Sequence, residues 1–386
     1  MNWPLVAIGE FCRTGSGGTP SRRQPEYYQG HIPWIKSGDL REKTVESATE
    51  YISELAIKKS SAKIVPKGAV LLAMYGATVG RMAMLGIDAA TNQAICNIIP
   101  EPERALRKYV YYALLAKVPE FLRSAVGGAQ PNISQGLIRD TKIPLPPLDE
   151  QRRITAILDK ADAIRHKRQK AIELADEFIR STFLDMFGDP VTNPKGWNIG
   201  GFIDICEINP KAAKYEDAFE VSFVPMPCVS EDSHMLKQHE IRTYKEVKKG
   251  FTPFLENDVL FAKITPCMEN GKAAIATGLR NGVGFGSTEY HVFRARNPDY
   301  ASFIYALVHL PSFRVQAANS FSGAVGHKRV PREFLEDYKL ILPPDNLIRQ
   351  HRKIFEFVGS LRDKSCFQAR HAEDVFLALN QRLFCG

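Results

Sequence analysis

Two long stretches of the chain space their apolar positions alternately four and three residues apart, which is the pattern of helices that pack in a coiled coil. Each stretch follows a proline pair, Pro146-Pro147 or Pro343-Pro344, and such a pair marks the end of an extended segment before a helix. The apolar members of the two patterns are Ile154, Leu158, Ala161, Ile172, Ala175 and Ile179, and then Ile354, Val358, Leu361, Ala372, Val375 and Leu379.

Polar residues interrupt both patterns at matching places near the middle. Arg165 and Arg168 stand in the first pattern, and Ser365 and Gln368 stand in the second. A polar side chain buried against apolar partners is costly in free energy. If the two helices pack against each other, these polar residues, which we call the polar step, can meet one another instead of apolar side chains. We therefore predict two paired long helices, and the alternative is two unrelated amphipathic helices.

The duplication extends beyond the helices. Val70–Ala73 resembles Val259–Ala262, and Gly80-Arg81 resembles Gly271-Lys272. Each copy of the repeat has, before its long helix, a unit with short apolar runs broken by Gly, Pro and Asp. These runs predict a mixed or mostly antiparallel sheet in each unit, together with one helix, over residues 106–125 in the first unit and 300–318 in the second. The fold class is therefore predicted to be α+β with an internal repeat. The predicted parts, alternately a mixed unit and a long helix, are residues 1–147, 148–187, 188–345 and 346–386.

Positive charge is unevenly distributed along the chain. The formal net charge is +8, and residues 1–147 carry 18 basic and 12 acidic side chains, whereas residues 188–345 carry 18 and 19. An excess of positive charge favours a polyanionic partner. Because residues 188–345 have no such excess, a polyanion would have to contact local clusters of basic side chains there. Because there is no long apolar run and no signal peptide, we expect a cytoplasmic protein without a membrane partner. The seven cysteines lack CxxC spacing, which argues against a zinc site.

Sequence motifs of catalysis are missing. The chain has no GxxxxGK[ST], no HExxH, no GxSxG, and no Asn-Pro-Pro-aromatic or Asp-Pro-Pro-aromatic step of the kind that adenine methyltransferases use. A nuclease site could be assembled only from common residue types at Asp299, Asp337 and Lys339. We therefore expect no catalytic residue, no metal site and no cofactor in this chain.

Polar loops at matching places in the two units are the candidates for nucleic-acid contact. Gly15–Arg23 offers backbone amides, hydroxyls and guanidiniums that suit phosphate contacts and base-edge readout. The amides of Gln130 and Asn132 can pair bidentately with adenine. For each residue alone, an ordinary solvated loop is the alternative. The candidate DNA-binding residues are Thr19, Ser21, Arg22, Arg23, Lys36, Arg81, Gln130, Asn132, Ser134, Lys263, Lys272, His327, Lys328 and Arg329.

Three segments, together with the internal duplication, carry a resemblance to a known family. They are Gly18–Ser21 (Gly-Thr-Pro-Ser), Ile32–Ile35 (Ile-Pro-Trp-Ile) and above all Ile143–Arg152, which leads into the first long helix. With these segments the chain resembles the specificity subunits of type I restriction-modification systems over essentially its whole length. The second copy of the helix start departs from the family pattern, since it has two extra residues and Arg349 where a glutamate would stand.

The resemblance implies a non-catalytic subunit that reads double-stranded DNA with two target recognition domains, one for each block of a split site. An antiparallel coiled coil would set the distance between them. The implied partners are two methyltransferase subunits, which bind S-adenosylmethionine, and two restriction subunits, which use ATP and Mg. The alternatives are a DNA methyltransferase or nuclease with degenerate motifs, and a coiled-coil interaction protein without a nucleic-acid role.

Overall fold

The computed structural model describes residues 3–124, 132–231, 233–323 and 328–384 of the chain. The chain divides into two units, which we call unit 1 (Met1–Arg168 with Gln368–Gly386) and unit 2 (Gln169–Phe367). Each unit therefore contains one mixed part of the sequence repeat together with a portion of each long helix.

The part of unit 1 that precedes the first long helix consists of short strands and helices. Its strands are β1 (Leu5–Ala7), β2 (Cys12–Ser16), β3 (Ile32–Ile35), β4 (Thr44–Val45), β5 (Glu50–Ile52), β6 (Ile64–Val65), β7 (Val70–Ala73), β8 (Met82–Leu85), β9 (Ala89–Thr91), β10 (Ile95–Pro100) and β11 (Lys142–Pro144). Its shorter helices are α1 (Glu54–Lys59), α2 (Arg107–Ser124) and α3 (Gln135–Asp140). Strands β1 and β11 form a ribbon, and the others form two sheets with the orders β2-β10-β7-β8-β4 and β5-β3-β9-β6.

The apolar run at β7 is continuous because both faces of this strand are covered. Val70 and Leu72 pack with Tyr109 of α2 in one core cluster. The alternate residues, Leu71 and Ala73, belong to a different cluster on the opposite face. Successive side chains of a strand point to opposite faces, so a strand buried on both sides has apolar residues at every position.

The first long helix, α4 (Leu148–Phe187), begins in unit 1 and ends in unit 2. The strands of unit 2 are β12 (Asn198–Gly201), β13 (Cys206–Ile208), β14 (Glu220–Val224), β15 (Glu240–Thr243), β16 (Thr252–Leu255), β17 (Val259–Ala262), β18 (Ala273–Ile275), β19 (Val283–Gly286), β20 (Tyr290–Ala295) and β21 (Lys339–Leu342). The remaining helices are α5 (Phe202–Ile205), α6 (Tyr244–Val247), α7 (Tyr300–His309), α8 (Pro311–Asn319), α9 (Arg332–Asp337) and the second long helix α10 (Asp345–Phe384).

The sheets of unit 2 repeat those of unit 1, except that the described residues of unit 2 have no strand that corresponds to β4. The orders β13-β20-β17-β18 and β15-β14-β19-β16 correspond strand for strand to β2-β10-β7-β8 and β5-β3-β9-β6, and the ribbon β12-β21 corresponds to β1-β11. The pairs β3–β9 and β14–β19 are both parallel, whereas most other pairs are antiparallel. The predicted α+β class and internal repeat are therefore confirmed.

The single helix predicted over residues 300–318 is wrong, because two helices occupy this range. Helix α7 ends at His309, and α8 begins at Pro311. Leu310 between them has an extended backbone with ψ of 136°, which is the conformation that a following proline favours. In unit 1, α2 runs through Pro119 without ending.

The two long helices pack against each other in unit 1 through apolar side chains. Ile154 and Leu158 of α4 are buried in one cluster with Phe376 and Phe384 of α10. Their burial removes apolar surface from water, which is the main force that holds such helices together.

In unit 2 the same two helices pack through an ion pair and aromatic rings. Asp176 of α4 binds Arg362 of α10, and Phe187 of α4 contacts His351 of α10 with ring centroids 5.3 Å apart. Rising residue numbers on α4 therefore meet falling numbers on α10. The helices are antiparallel in this unit, as the sequence resemblance implied.

The predicted seam of the second helix is wrong at two positions. Leu361 and Val375 are 47% and 41% exposed. Phe355, Arg362 and Phe376 face inward instead, and each is at most 3% exposed. A helix of 3.6 residues per turn drifts against a repeat of 3.5, and the larger area that the aromatic rings bury decides which face is inside. The other predicted seam residues are buried or half-buried, namely Ile154, Leu158, Ala161, Ile172, Ala175, Ile179, Ile354, Val358, Ala372 and Leu379.

The predicted polar step also differs from the structure. Arg168 and Gln368 are both exposed. Arg165 is half-buried, and its Nη1 lies 3.1 Å from an oxygen of Glu373. The polar step is therefore an ion pair between a predicted seam position and a residue just beside the predicted seam.

Candidate nucleic-acid interface

Three segments of unit 1 that are far apart in sequence meet at one place in the fold. The amide of Met74 donates to the carbonyl of Ala94, and the amide of Ile133 donates to the carbonyl of Met74, both at 2.7 Å. Tyr75 and Asn132 form an antiparallel bridge beside these bonds. The hairpin after β7, the loop before β10 and the segment before α3 therefore converge, and we call this arrangement the loop junction of unit 1.

Unit 2 contains the same loop junction. The amide of Lys263 donates to the carbonyl of Glu289, and the amide of Val330 donates to the carbonyl of Lys263, both at 2.9 Å. Ile264 and Arg329 form the matching bridge. Each of these contacts has a counterpart in unit 1, so the repeat extends from the sheets to the loops that carry the candidate residues.

The hairpin of each loop junction presents a cation after a left-handed glycine. Gly80 has φ of 81° and Gly271 has φ of 85°, a conformation that residues with a Cβ rarely adopt. The carbonyls of the next residues, Arg81 and Lys272, accept backbone hydrogen bonds from the preceding strand at 2.8 and 3.0 Å. Arg81 and Lys272 therefore occupy the same structural position, as the sequence repeat indicated.

The loop junction of unit 2 is rich in charge. Arg329 forms two hydrogen bonds to the carboxylate of Glu289, from Nε at 2.8 Å and from Nη2 at 2.7 Å. Lys263 is half-buried and Lys328 is exposed. Burial lowers the pKa of the Lys263 ammonium, an effect that Glu289 opposes and Arg329 reinforces. Two cations, Arg329 and Lys263, thus interact with one carboxylate, and the exposed Lys328 precedes Arg329 in the chain.

His291 supports this loop junction from the core. Its Nε2 lies 2.9 Å from the carbonyl of Val330, and its Nδ1 lies 3.0 Å from the side-chain amide of Asn209. Burial lowers the pKa of His291 to about 4, so the ring is neutral at pH 7. A neutral imidazole has one donor and one acceptor nitrogen, which matches these two partners.

The Gly-rich loop of unit 1 is held by the second sheet. The indole of Trp34 donates to the carbonyl of Gly18 at 3.0 Å. Glu50 binds both Arg22 and Lys36 at 2.6 Å. These two cations therefore have a role in holding the loop, whatever else they bind. The remaining candidates in this loop are exposed, namely Thr19, Ser21 and Arg23.

The candidates near the loop junction of unit 1 differ in what the structure shows. Asn132 is exposed. Ser134 caps α3, because its Oγ accepts from the amide of Leu137 at 3.1 Å. Gln130, and His327 in the second unit, lie outside the described residues. DNA contact by any of these residues stays a prediction.

A partly buried charge network joins the first sheet of unit 1 to α4. Lys43, beside β4, has its Nζ 2.8 Å from Asp159 and 3.0 Å from Asp162. Lys108 of α2 binds the other oxygen of Asp159 at 2.6 Å. Although burial opposes it, hydrogen bonds from Lys108 and Lys43 lower the pKa of Asp159 to about 2. The network fixes the sheet, and with it the hairpin of the loop junction, to the long helix.

Sequence reasoning missed two carboxylates, Glu50 and Glu289. Both lie in loop or edge-strand positions where the sequence shows no local signal, and each acquires its role only when distant segments meet. The signal that could have found Glu289 is the repeat itself. If β10 had been matched to β20, the residue just before the second strand would have stood out as a carboxylate in a basic neighbourhood.

The described ranges contain no group of three His, Cys, Asp or Glu side chains placed to hold a metal ion. Burial raises the pKa values of Cys12, Cys96 and Cys206 to about 12, so these thiols stay protonated at pH 7 and behave as apolar core residues. Over the same described ranges, the helices are all too short or too polar to span a lipid bilayer.

Comparison with known protein families gives a match to residues 1–174, which fit the type I restriction modification DNA specificity domain. The type I restriction enzyme EcoAI specificity subunit of Escherichia coli is 38% identical over 231 residues, which are 57% of this chain and 37% of that protein. The EcoEI specificity subunit of the same organism is 41% identical over 157 residues, 40% of this chain and 26% of that protein. The chain thus spans about a third of the length of these curated relatives.

A third relative matches a larger part of the chain. The type I restriction enzyme MjaIX specificity subunit of Methanocaldococcus jannaschii is 26% identical over 304 residues, which are 71% of this chain and 69% of that protein. These matches confirm the resemblance to type I specificity subunits that the sequence segments indicated.

Solved structures share the fold. The type I restriction-modification S subunit from M. genitalium matches with a TM-score of 0.58 and 14% identity, over 99% of this chain and 96% of that one. A chain from a structure of complex assembly and conformational transition in the type I R-M system matches with a TM-score of 0.53 and 16% identity, over 99% and 97%.

Proposed function

We propose that the whole chain, whose residues 1–174 carry a type I restriction modification DNA specificity domain, is a non-catalytic specificity subunit that reads a split site in double-stranded DNA. Residues 1–147 and 188–345 are the proposed target recognition domains, and each reads one block of the site. The two long helices set the distance between the blocks.

The observation that carries this proposal is the duplicated loop junction. The same backbone bonds hold three loops together in each unit, and both loop junctions carry side chains that suit DNA. Arg81 and Lys272 occupy one equivalent position as cations for phosphate contact. Asn132 and Arg329 occupy another with groups that recognise base edges. A protein that binds DNA at two separate blocks needs two such surfaces built alike.

The proposed partners are a methyltransferase and a restriction subunit, two copies of each. S-adenosylmethionine, ATP and Mg would be bound by those partners. Support comes from the relatives, which are named specificity subunits of type I restriction enzymes. A division of labour in which catalysis lies in other chains agrees with the missing catalytic motifs in this sequence.

Selection from a randomised duplex library by the full chain tests the proposal. We expect two short specified blocks with unspecified base pairs between them. The double variant Arg81→Ala with Lys272→Ala should weaken binding to all sequences alike and reduce the salt slope of the binding constant by about 0.9 for each lost phosphate contact. A chain that selects no sequence, or that itself binds S-adenosylmethionine or cleaves DNA, would contradict the proposal.

A further inference from the structure

The sheets β5-β3-β9-β6 and β15-β14-β19-β16 place an aromatic ring opposite a glutamate at the same point. Trp34 of β3 pairs with Glu50 of β5, and Phe223 of β14 pairs with Glu240 of β15. Residues that pair directly on neighbouring strands point to the same face of the sheet. In each unit, a ring on an inner strand and a carboxylate on an edge strand therefore lie side by side.

An arginine completes this arrangement in each unit. The Cζ of Arg22 lies 5.5 Å from the centre of the Trp34 ring and 4.2 Å from the centre of the Tyr28 ring. The Cζ of Arg242 lies 3.6 Å from the centre of the Phe223 ring. A guanidinium over the face of an aromatic ring is held there by electrostatic attraction. We call each group of arginine, ring and glutamate an arginine platform.

The two arginines reach this place from different segments of the repeat. Arg22 stands in the Gly-rich loop before β3. Arg242 lies on the edge strand β15, at the position where unit 1 has Ile52. Because the two arginines do not correspond in the sequence repeat, the repeat alone does not account for a guanidinium over the ring in both units. A shared requirement for a guanidinium at this place does.

The glutamates fix the orientation of the two guanidiniums. Arg22 donates from Nη2 to Glu50 at 2.6 Å, and Arg242 donates from Nε and Nη2 to one oxygen of Glu240 at 3.0 and 2.6 Å. The described residues accept no other hydrogen bond from these two side chains, which are 58% and 33% exposed. A guanidinium has five N–H donors in a planar fork, so a glutamate on one edge leaves another edge with two donors for a ligand.

Both arginine platforms lie close to the loop junction of their unit. The strand residues that pair with the two rings are Ala90 and Phe285. Four residues further along the chain stand Ala94 and Glu289, whose carbonyls accept the central hydrogen bonds of the loop junctions. Four residues span at most about 14 Å. The platform and the loop junction of one unit can therefore contact the same short block of DNA.

A guanidinium fixed in this way suits base readout better than phosphate contact. Phosphate contact depends on positive charge and tolerates many orientations, and the glutamate of each platform opposes the charge of its arginine. Base readout depends on direction instead. Two parallel donors match O6 and N7 of guanine, which arginine contacts bidentately in the major groove.

We propose that Arg22 and Arg242 each read a guanine in the DNA block contacted by their own unit, and that Glu50 and Glu240 position them. The inference rests on the proposed function. It adds Arg242 to the candidate DNA-binding residues and assigns one base to each block.

Selection from a randomised duplex library, performed with the full chain and its variants, tests the inference at single-base resolution. The wild-type chain should require guanine at one or more positions of each block. Lysine keeps the charge and loses the fork, so Arg22→Lys should lower discrimination at one guanine of one block by about 5- to 150-fold. Arg242→Lys should do the same in the other block only. Glu240→Gln should lower discrimination at the same base as Arg242→Lys, by a smaller factor and with unchanged thermal stability.

Arg280→Lys is the matched control. Arg280 donates from Nε and Nη2 to one oxygen of Glu220 at 2.9 and 2.6 Å, and its side chain is 52% exposed. It thus resembles Arg242 in its carboxylate partner, but none of the aromatic rings in the described residues lies under it. We expect Arg280→Lys to leave the preferred sequence unchanged.

The outcomes separate this inference from the proposed function. A guanine preference that survives either Arg22→Lys or Arg242→Lys overturns the inference, while a split site still supports the proposed function. Weaker binding to all sequences alike, with a smaller salt slope, would identify phosphate contact and also overturn it. A wild-type chain that selects no sequence overturns both.

Discussion

Unit 1 and unit 2 hold the starts of their long helices with different side chains. In unit 1, Gln151 accepts from the amide of Leu106 at 2.8 Å and donates to the carbonyl of Arg104 at 2.9 Å. In unit 2, the matching residue is His351, which is 1% exposed and lies 3.2 Å from the hydroxyl of Ser302. The same position in the repeat is thus filled by an amide in one unit and by a titratable ring in the other.

The ion pairs between the long helices also differ. Arg165 of unit 1 has a side chain that is 31% exposed and binds both Glu373 and Asp162. Arg362 of unit 2 has a side chain that is only 3% exposed and binds Asp176. The comparison shows that the same backbone positions can hold different polar side chains in the two units. The stability of the two units should therefore respond differently to pH and to the loss of a charged side chain.

The largest effect is expected where a charge is introduced at the apolar contact of unit 1. Leu158 is completely buried, so Leu158→Asp would bury an unpaired carboxylate and should cost several kcal/mol of stability. Leu361→Asp is the matched control, because Leu361 is 47% exposed and should change stability by about 0.5 kcal/mol or less. Thermal or denaturant unfolding measures both, and equal effects would contradict the burial of Leu158 against α10.

Removing the acidic partner of each ion pair between the long helices should cost more stability in unit 2 than in unit 1. Asp176→Ala leaves the buried guanidinium of Arg362 without that carboxylate, at a cost of about 3 kcal/mol. Glu373→Ala should cost about 1 kcal/mol or less, because Arg165 keeps Asp162 at 2.9 Å. The free energies of unfolding of the two variants provide the test, and a larger loss for Glu373→Ala would reverse the comparison.

Acid should destabilise the chain through buried histidines of unit 2. Burial lowers the pKa of His351 to about 4, whereas an unfolded histidine has a pKa of about 6.5. Between these values the unfolded chain binds more protons, so the stability that His351 contributes is complete above pH 6.5 and falls as the pH drops towards 4. The loss should be at most about 3 kcal/mol for this residue.

His351→Gln places in unit 2 the amide that unit 1 has at Gln151. We expect this variant to reduce the slope of the unfolding free energy against pH between 4 and 6.5, whatever its stability at neutral pH. A slope identical to that of the wild-type chain would show that His351 does not contribute to acid sensitivity.

A further prediction concerns base preference in the block that unit 1 is proposed to read, and it leaves the stability of the chain unchanged. Asn132→Ala, or Gln130→Ala in the same loop of the sequence, should relax the preference at bases of one block only, at about 1 to 3 kcal/mol for a lost bidentate pair. Methylation profiling of the assembled enzyme measures this. A change spread evenly over both blocks would instead mean that the side chain contacts phosphate or supports the loop.

The sequence predicts those parts of the fold that depend on local patterns of residues. The long helices follow from their spacing and the proline pairs before them, and the duplication follows from matched segments such as Gly80-Arg81 and Gly271-Lys272. The seam of α10 was misplaced because apolar residues stand at both possible faces. Leu361 fits the ideal repeat, but Phe355 and Phe376 bury more area on the neighbouring face.

The loop junctions could be predicted only in part. The sequence indicates that Asn132 and Arg329 lie in polar loops, but their equivalence depends on backbone bonds between segments that are far apart in the chain. Met74, Ala94 and Ile133 meet through such bonds, and no local pattern signals them. For the same reason the partnership of Glu289 with Arg329 became visible only in the structure.

The central claim, that two matched units read two blocks at a distance set by the long helices, is tested most directly by the methylation profile of an enzyme assembled with lengthened helices. Seven residues inserted at matched positions into both α4 and α10 preserve the helical repeat and add about 10 Å. We predict that the two blocks keep their sequences while the unspecified gap grows by about three base pairs, at about 3.4 Å per base pair. An enzyme with the paired insertion that still methylates sites of the original spacing would contradict the claim.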